Sequence, residues 1–394
     1  MDRPYGTPRA HAARRGPLSP DLSRATSHAF ADAESIRAHG ERRVHGPFYP
    51  RYGHANAWAF EAFVAELEGA EGAVSFASGM AAMSAAILGL SSSGDRVVAA
   101  HQVYGGTAGL LRHELPRFGI GVDRFDALDA GSLASVLDRP ARLCVVETPV
   151  NPTLRLCDLA AIASICRARK VALLVDGTFA PPPIQRALAL GADLVMHSAT
   201  KFLGGHSDTL AGVVAGRHDL LAPIETFRAR TGAILSPDTA WLLCRSAETH
   251  ELRVRAQQDA AAFIARELAQ RVRPGAPLQA VVHPLLPGHP DAAIRARQMD
   301  GGGALLSLVV RGGLAAAMTA FDRFEVVARA PSLGGVETNA SLPAHTTHAA
   351  LSPAERKALG IDDGLIRISV GLEPRERILG DILRAVGEGR GAVE

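Results

Sequence analysis

The chain has 394 residues, 47% apolar and 21% charged, enough for two domains or one large α/β core. A formal net charge of +2 gives no general drive toward nucleic acid or an anionic membrane, and the longest strongly apolar run, 304-ALLSLVV-310, suits a buried strand rather than a membrane span. The four cysteines, Cys144, Cys157, Cys166 and Cys244, form no CxxC pair, which fits a reducing, cytoplasmic setting and neither a disulfide scaffold nor a structural zinc site.

The first stretch, 1-MDRPYGTPRAHAARRGPLSP-20, is rich in Arg, Ala and Pro and lacks the apolar segment of a secretory signal, so it reads as a mobile arm. From about residue 57 the pattern alternates. Helical periodicity in 57-AWAFEAFVAELEGA-70 leads to the apolar run 73-AVSFAS-78, then helix-like 79-GMAAMSAAILGL-90 and strand-like 96-RVVAA-100 and 142-RLCVVET-148. Next come helix-like 158-DLAAIASICRARK-170 and the strands 171-VALLVD-176 and 193-DLVMH-197. Short continuous apolar strands separated by helices predict a mostly parallel sheet covered on both faces. Residues 234–272 read as one or two long helices, and 304-ALLSLVV-310, 366-IRISVGL-372 and a final helix as a smaller α+β unit. The expected division is an arm over 1–56, a large α/β domain over 57–240 and a C-terminal α+β domain over 241–394.

Ligands of such sheets bind at the carboxyl ends of the strands. After 73-AVSF-76, Ser78-Gly79-Met80 opens a helix, where free backbone N–H groups suit a phosphate. After 142-RLCVV-146 comes 147-ETPVNPT-153, whose prolines fix a loop that holds Asn151. Asp176 closes one strand, and Ser198-Ala199-Thr200-Lys201 follows the next. A plain salt bridge between Asp176 and Lys201, or two unrelated surface charges, would account for those two residues alone. Neither accounts for the hydroxyls and the glycine turn. A cofactor with a phosphate, a basic ring nitrogen and an aldehyde uses all of them, which favours pyridoxal phosphate. His197, His206 and His283 read as packing residues, as do Trp241 and His250 on a helix, and no metal-ligand spacing is present.

In order, Tyr49-Pro50-Arg51, 76-FASGMAA-82, 104-YGGT-107, 147-ETPVNPT-153, 175-VDGTFA-180, 197-HSATKFLGGHSD-208, 332-SLGGVET-338 and 365-LIRISVGLE-373 resemble the Cys/Met-metabolism family of pyridoxal-phosphate enzymes over roughly residues 45 to 385. That family contains cystathionine γ-synthases, cystathionine lyases, methionine γ-lyases and O-acylhomoserine sulfhydrylases. The resemblance implies fold type I and a homotetramer, a dimer of dimers whose arms complete the neighbouring subunit's site. It makes Lys201 the residue that bonds the cofactor aldehyde and Asp176 the partner of the ring nitrogen. Gly79, Met80, Ser198 and Thr200 become the phosphate cradle, and Tyr104 the ring cover and a candidate acid–base group. Tyr49 and Arg51 would act in the neighbouring site, with Arg51 on the phosphate. Arg367, Asn151, Ser332 and Glu337 would surround an amino-acid substrate.

The departures bear on the substrate. Gly109 stands where many cystathionine enzymes have arginine, and Gly106 where methionine γ-lyases have cysteine. Gly177 replaces the usual asparagine after the aspartate, and Glu337-Thr338-Asn339 the usual Glu-Ser-Leu. The stretches 231-TGAILSP-237 and 352-SPAERKALGIDDGLIRISVGLE-373 lie closer to methionine γ-lyases. The resemblance therefore implies γ-elimination from a methionine-, homocysteine- or cystathionine-like L-amino acid, with γ-replacement or chemistry on an unusual amino acid in specialised biosynthesis as the alternative. A nicotinamide dehydrogenase is excluded, since no GxGxxG follows an early strand.

Overall fold

The structure, a computed structural model, describes residues 20–41, 46–349 and 351–388. The stretch 1–19 of the expected arm lies outside the described residues. Within the rest of it, Ala33–Gly40 forms a helix, α1, capped by Asp32. The helix α2, Ala55–Glu68, then begins on His54, whose ring accepts from Ala57 N. It ends on Gly69 in the left-handed region, φ 67°, where a glycine meets no Cβ penalty. Phe60 and Phe63 on α2 are fully buried, each contributing about 1.5–3 kcal/mol of apolar transfer.

The strands β1 Gly72–Phe76, β2 Arg96–Ala100, β3 Gly121–Phe125, β4 Leu143–Glu147, β5 Ala172–Asp176, β6 Leu194–His197 and β7 Gly212–Gly216 form one sheet in the order β1-β7-β6-β5-β4-β2-β3. All neighbours run parallel except β7, which is antiparallel to both β1 and β6. β4 and β5 are largely buried along their length because helices cover both faces, and their apolar runs follow from that. β3 and β7 are additions to the sequence reading. The helices α3 Gly79–Leu90 and α5 Leu159–Ala168 stand where the periodicity puts them. The region 234–272 resolves into two helices, Pro237–Ala247 and His250–Ala269.

A second sheet, β8 Leu278–Val282, β9 Leu305–Val310, β10 Ala328–Arg329, β11 Asn339–Ser341 and β12 Leu365–Ser369, has the order β10-β11-β12-β9-β8 and is antiparallel apart from β10–β11. Its own core is made by Leu306, Leu308, Ile366 and Ile368 with Ile264, Leu268, Ile378 and Ile382 from flanking helices. No helix among the described residues is long and apolar enough to cross a membrane.

Candidate active site

The parallel strands end on one edge of the first sheet, and their terminal residues set the site. Glu147 on β4 and Asp176 on β5 are register partners, so both carboxyl groups stand side by side at that edge. Asp176 is buried, accepts from Thr178 N at 3.0 Å and makes no ion pair among the described residues. Burial raises its pKa above the ordinary value, with Thr178 and His197 acting in the opposite sense. A carboxylate in that position needs a cation.

After β6 the chain turns through Ser198–Lys201. Lys201 N donates to Ser198 O at 3.1 Å and Gly205 N to Lys201 O at 2.7 Å, which fixes the lysine backbone. Its Nζ donates to Ser332 Oγ at 2.6 Å. Burial, and then the nearby Arg367 charge, pull the amine down to about 8. Ser332 has φ +90°, an unusual conformation for a residue with a side chain. That turn lets one residue serve two partners, because its carbonyl accepts from Arg367 Nη2 at 2.7 Å.

Arg367 is the central residue of β12, held between Ser307 on β9 and Ser341 on β11. It is 3% exposed, its Nη1 donates to Asn151 Oδ1 at 3.0 Å, and its Nε is buried without a hydrogen-bond partner. Burial lowers it to about 10, with Glu147 and Tyr104 pulling the other way. A buried guanidinium with an unused donor, and with no ion pair among the described residues, has the fork geometry that suits a planar carboxylate.

Ser78 caps α3, its Oγ accepting from Ala81 N at 3.0 Å, and leaves the next turn open. A Cβ on Gly79 would stand 2.8 Å from Ser198 Cβ and 2.9 Å from its Oγ, so the first turn of α3 and Ser198 are immediate neighbours, placed to serve one anion together. A phosphate held by backbone N–H groups and a serine hydroxyl fits there, an ionised ring nitrogen fits Asp176, and an aldehyde fits Lys201. The residues present therefore match pyridoxal phosphate. The Thr200 hydroxyl donates to Ala211 O at 3.2 Å and accepts from Ala211 N at 3.0 Å, which braces the loop beside Ser198.

Tyr104 precedes the short helix α4, Gly105–Gly109, and is 43% exposed. A Cβ on Gly106 would come within 2.6 Å of the Tyr104 ring and 2.9 Å of Met80 Sδ, so these three residues are packed together. Glu337 is exposed, and its carboxylate accepts from Ser207 Oγ at 3.2 Å, on the loop after the lysine. Tyr49 and Arg51 lie elsewhere. Arg51 stacks on Tyr49 and Tyr52, donates to Ala229 O at 3.1 Å, and lines a cavity of about 1040 Å³ with Trp58 and Glu225. Sequence reasoning gave Glu147 no role, although it closes the same run as the other strand-end acids. Its carboxyl group accepts from the backbone N–H groups of Tyr104 and Asn151. His197 closes β6 and bonds Glu68 Oε1 at 2.6 Å, and His206 and His283 bond backbone carbonyls.

Comparison with known proteins agrees with this geometry. The sequence pattern described as "Cys/Met metabolism PLP-dependent enzyme" matches residues 7–387. The chain is 38% identical to an O-succinylhomoserine sulfhydrylase of Pseudomonas aeruginosa, over 92% of this chain and 89% of that protein. It is 36% identical to an L-methionine gamma-lyase of Pseudomonas deceptionensis, over 94% and 93%. The crystal structure of cystathionine gamma synthase from Xanthomonas oryzae pv. oryzae superposes with a TM-score of 0.88 at 33% identity, covering 94% of this chain and 93% of that one. In sequence over nearly its whole length and in fold, the chain thus belongs to the Cys/Met metabolism family of pyridoxal-phosphate-dependent enzymes.

Proposed function

We propose that the chain catalyses γ-elimination on a methionine-, homocysteine- or cystathionine-like L-amino acid, with one water consumed and a 2-oxo acid, ammonia and the γ-leaving group released. The observation that carries the proposal is the single serine that joins amine and guanidinium: Ser332 Oγ meets Lys201 Nζ and Ser332 O meets Arg367 Nη2. A substrate carboxylate on Arg367 then lies one residue away from the amine that must act on its α-carbon.

Bound pyridoxal phosphate supplies an aldehyde for the amino group and a ring that draws electrons from the substrate's α- and β-carbons. The chain's own groups do the rest. Asp176 holds the ring nitrogen as a cation. Gly79, Met80 and Ser198 hold the phosphate, with Thr200 bracing their loop and Arg51 of a second copy adding a bidentate contact. Arg367 and Asn151 orient the carboxylate. Lys201, its proton affinity reduced by burial, takes the proton from the α-carbon and later one from the β-carbon. Tyr104, or Tyr49 of a second copy, gives a proton to the departing γ-group, and Glu337 borders the substrate end. The separation of Tyr49 and Arg51 from Lys201 within one chain supports shared sites in a homotetramer, a dimer of dimers. Four buried free cysteines support a cytoplasmic setting.

A second reading, γ-replacement by an incoming thiol, is favoured by the 38% identity to an O-succinylhomoserine sulfhydrylase. Mass spectrometry of products from L-methionine, L-homocysteine, L-cystathionine and O-acetyl- and O-succinylhomoserine, with and without thiol, separates the two. A 2-oxo acid formed without thiol supports elimination; a thioether formed only with thiol replaces that reading by the second.

A further inference from the structure

The site contains an acid that the chemistry above does not use. Glu147 is 4% exposed and makes no ion pair among the described residues. Its Oε2 accepts from Tyr104 N, the amide that starts α4, and its Oε1 accepts from Asn151 N at 3.3 Å. One carboxyl group therefore ties together two loops, the one that presents the Tyr104 ring and the one that presents Asn151 to Arg367.

The groups around it decide its charge. Asp176 faces it from β5, Arg367 from β12, Tyr104 from the loop after β2, and the Cys157 thiol donates to the Glu147 backbone carbonyl at 3.4 Å. His197 on β6 faces Asp176 rather than Glu147. Two carboxyl groups side by side in a buried site cannot both ionise cheaply. A cationic ring nitrogen against Asp176, the reading on which this inference rests, fixes the anion there.

We propose that Glu147 is a positioning residue that works as a neutral carboxylic acid, clamping the Tyr104 and Asn151 loops while leaving Asp176 the only anion of the pair. Burial, and then the neighbouring Asp176, hold Glu147 well above the usual carboxylate range, which agrees with this assignment.

The test compares Glu147→Gln with Glu147→Leu in the cofactor-loaded enzyme. Glutamine removes the charge and keeps one acceptor, for the Tyr104 amide, at the expense of the weaker Asn151 contact, so it should cost less than about tenfold in kcat/KM at neutral pH, while leucine, which strands both buried amides, should cost over about a hundredfold. Wild-type activity should carry an alkaline limb, from ionisation of Glu147, that the glutamine variant lacks. Infrared difference spectra of wild type against Glu147→Gln at neutral pH should contain a protonated-carboxyl carbonyl band that moves in D2O. The cofactor's visible absorbance in the same samples keeps the two readings apart: a wild type that retains no pyridoxal phosphate sinks the functional reading, whereas a cofactor-loaded wild type without the infrared band sinks this one. No such band, or a glutamine variant as impaired as the leucine one, overturns the proposal.

Discussion

Gly79→Ala is the sharpest probe of the phosphate cradle. The added methyl group would stand 2.8 Å from Ser198 Cβ, 2.9 Å from Ser198 Oγ and 3.1 Å from Ser198 Cα. Ordinary carbon contacts lie near 3.5–4.0 Å, so Ser198 must retreat by roughly 0.6–1 Å, and part of that retreat falls on backbone. A charge-assisted hydrogen bond does not survive such a shift; losing one costs about 1.5–3 kcal/mol, roughly 10- to 150-fold in affinity. The helix itself should tolerate the change, since alanine is the better helix former and position 79 is in the first turn. Equilibrium dialysis against pyridoxal phosphate, read by the visible absorbance of the retained cofactor, measures the loss. A matched control is Gly109→Ala, where a methyl group would meet nothing within 4 Å. If Gly79→Ala stays folded and binds the cofactor within about twofold of wild type, well short of one lost hydrogen bond, the phosphate is not held between Gly79 and Ser198.

In the cofactor-free protein, the carbamylation rate of Lys201 by cyanate should rise with a midpoint near pH 8; a midpoint at the ordinary 10.5 would show that burial does not discharge the amine. Because the unfolded chain then binds more protons than the folded one between about pH 8 and 10.5, this lysine makes denaturant stability rise, not fall, across that window. Ser332→Gly relieves the φ +90° strain and should stabilise the fold by about 0.5–1 kcal/mol while lowering kcat, so a lower melting temperature would contradict the strain assignment. Arg367→Lys keeps the charge and loses the fork, and should raise KM for amino-acid substrates about tenfold or more; an unchanged KM would place the substrate carboxylate elsewhere.

The strands that the sequence announces are those buried on both faces. Leu143–Val146 and Leu173–Val175 are unbroken apolar runs because nothing polar can stand between two layers of helix. β3 was silent because it is an edge strand, and Asp123 and Arg124 interrupt its pattern. β7 was silent because 212-GVVAG-216 is short and bounded by glycines. Lys201, Asp176 and Asn151 were legible as polar residues at strand ends. Glu147 obeys the same rule, yet its partners are backbone amides, one of them in the Tyr104 loop far along the chain, and these leave no mark in the spacing of side chains. Thr200 shows the converse limit: a hydroxyl in the right motif is engaged with Ala211, a choice only the returning chain makes visible.

The antiparallel strand β7 also dictates when the site comes into being. β1 has a single sheet neighbour, and its register runs from Gly72 opposite Gly216 to Phe76 opposite Gly212, a partner synthesised well over a hundred residues later. Until that partner emerges from the ribosome, β1 is an unpaired apolar edge and Gly79 has no Ser198 to face. A nascent chain halted before residue 212 therefore offers the cofactor no cradle, however much of the neighbouring sheet has formed, and its exposed strand is a target for chaperones. By this topology cofactor capture should come late in the life of the chain, and truncations between β6 and β7 should behave as aggregation-prone apoprotein rather than as weakened enzyme.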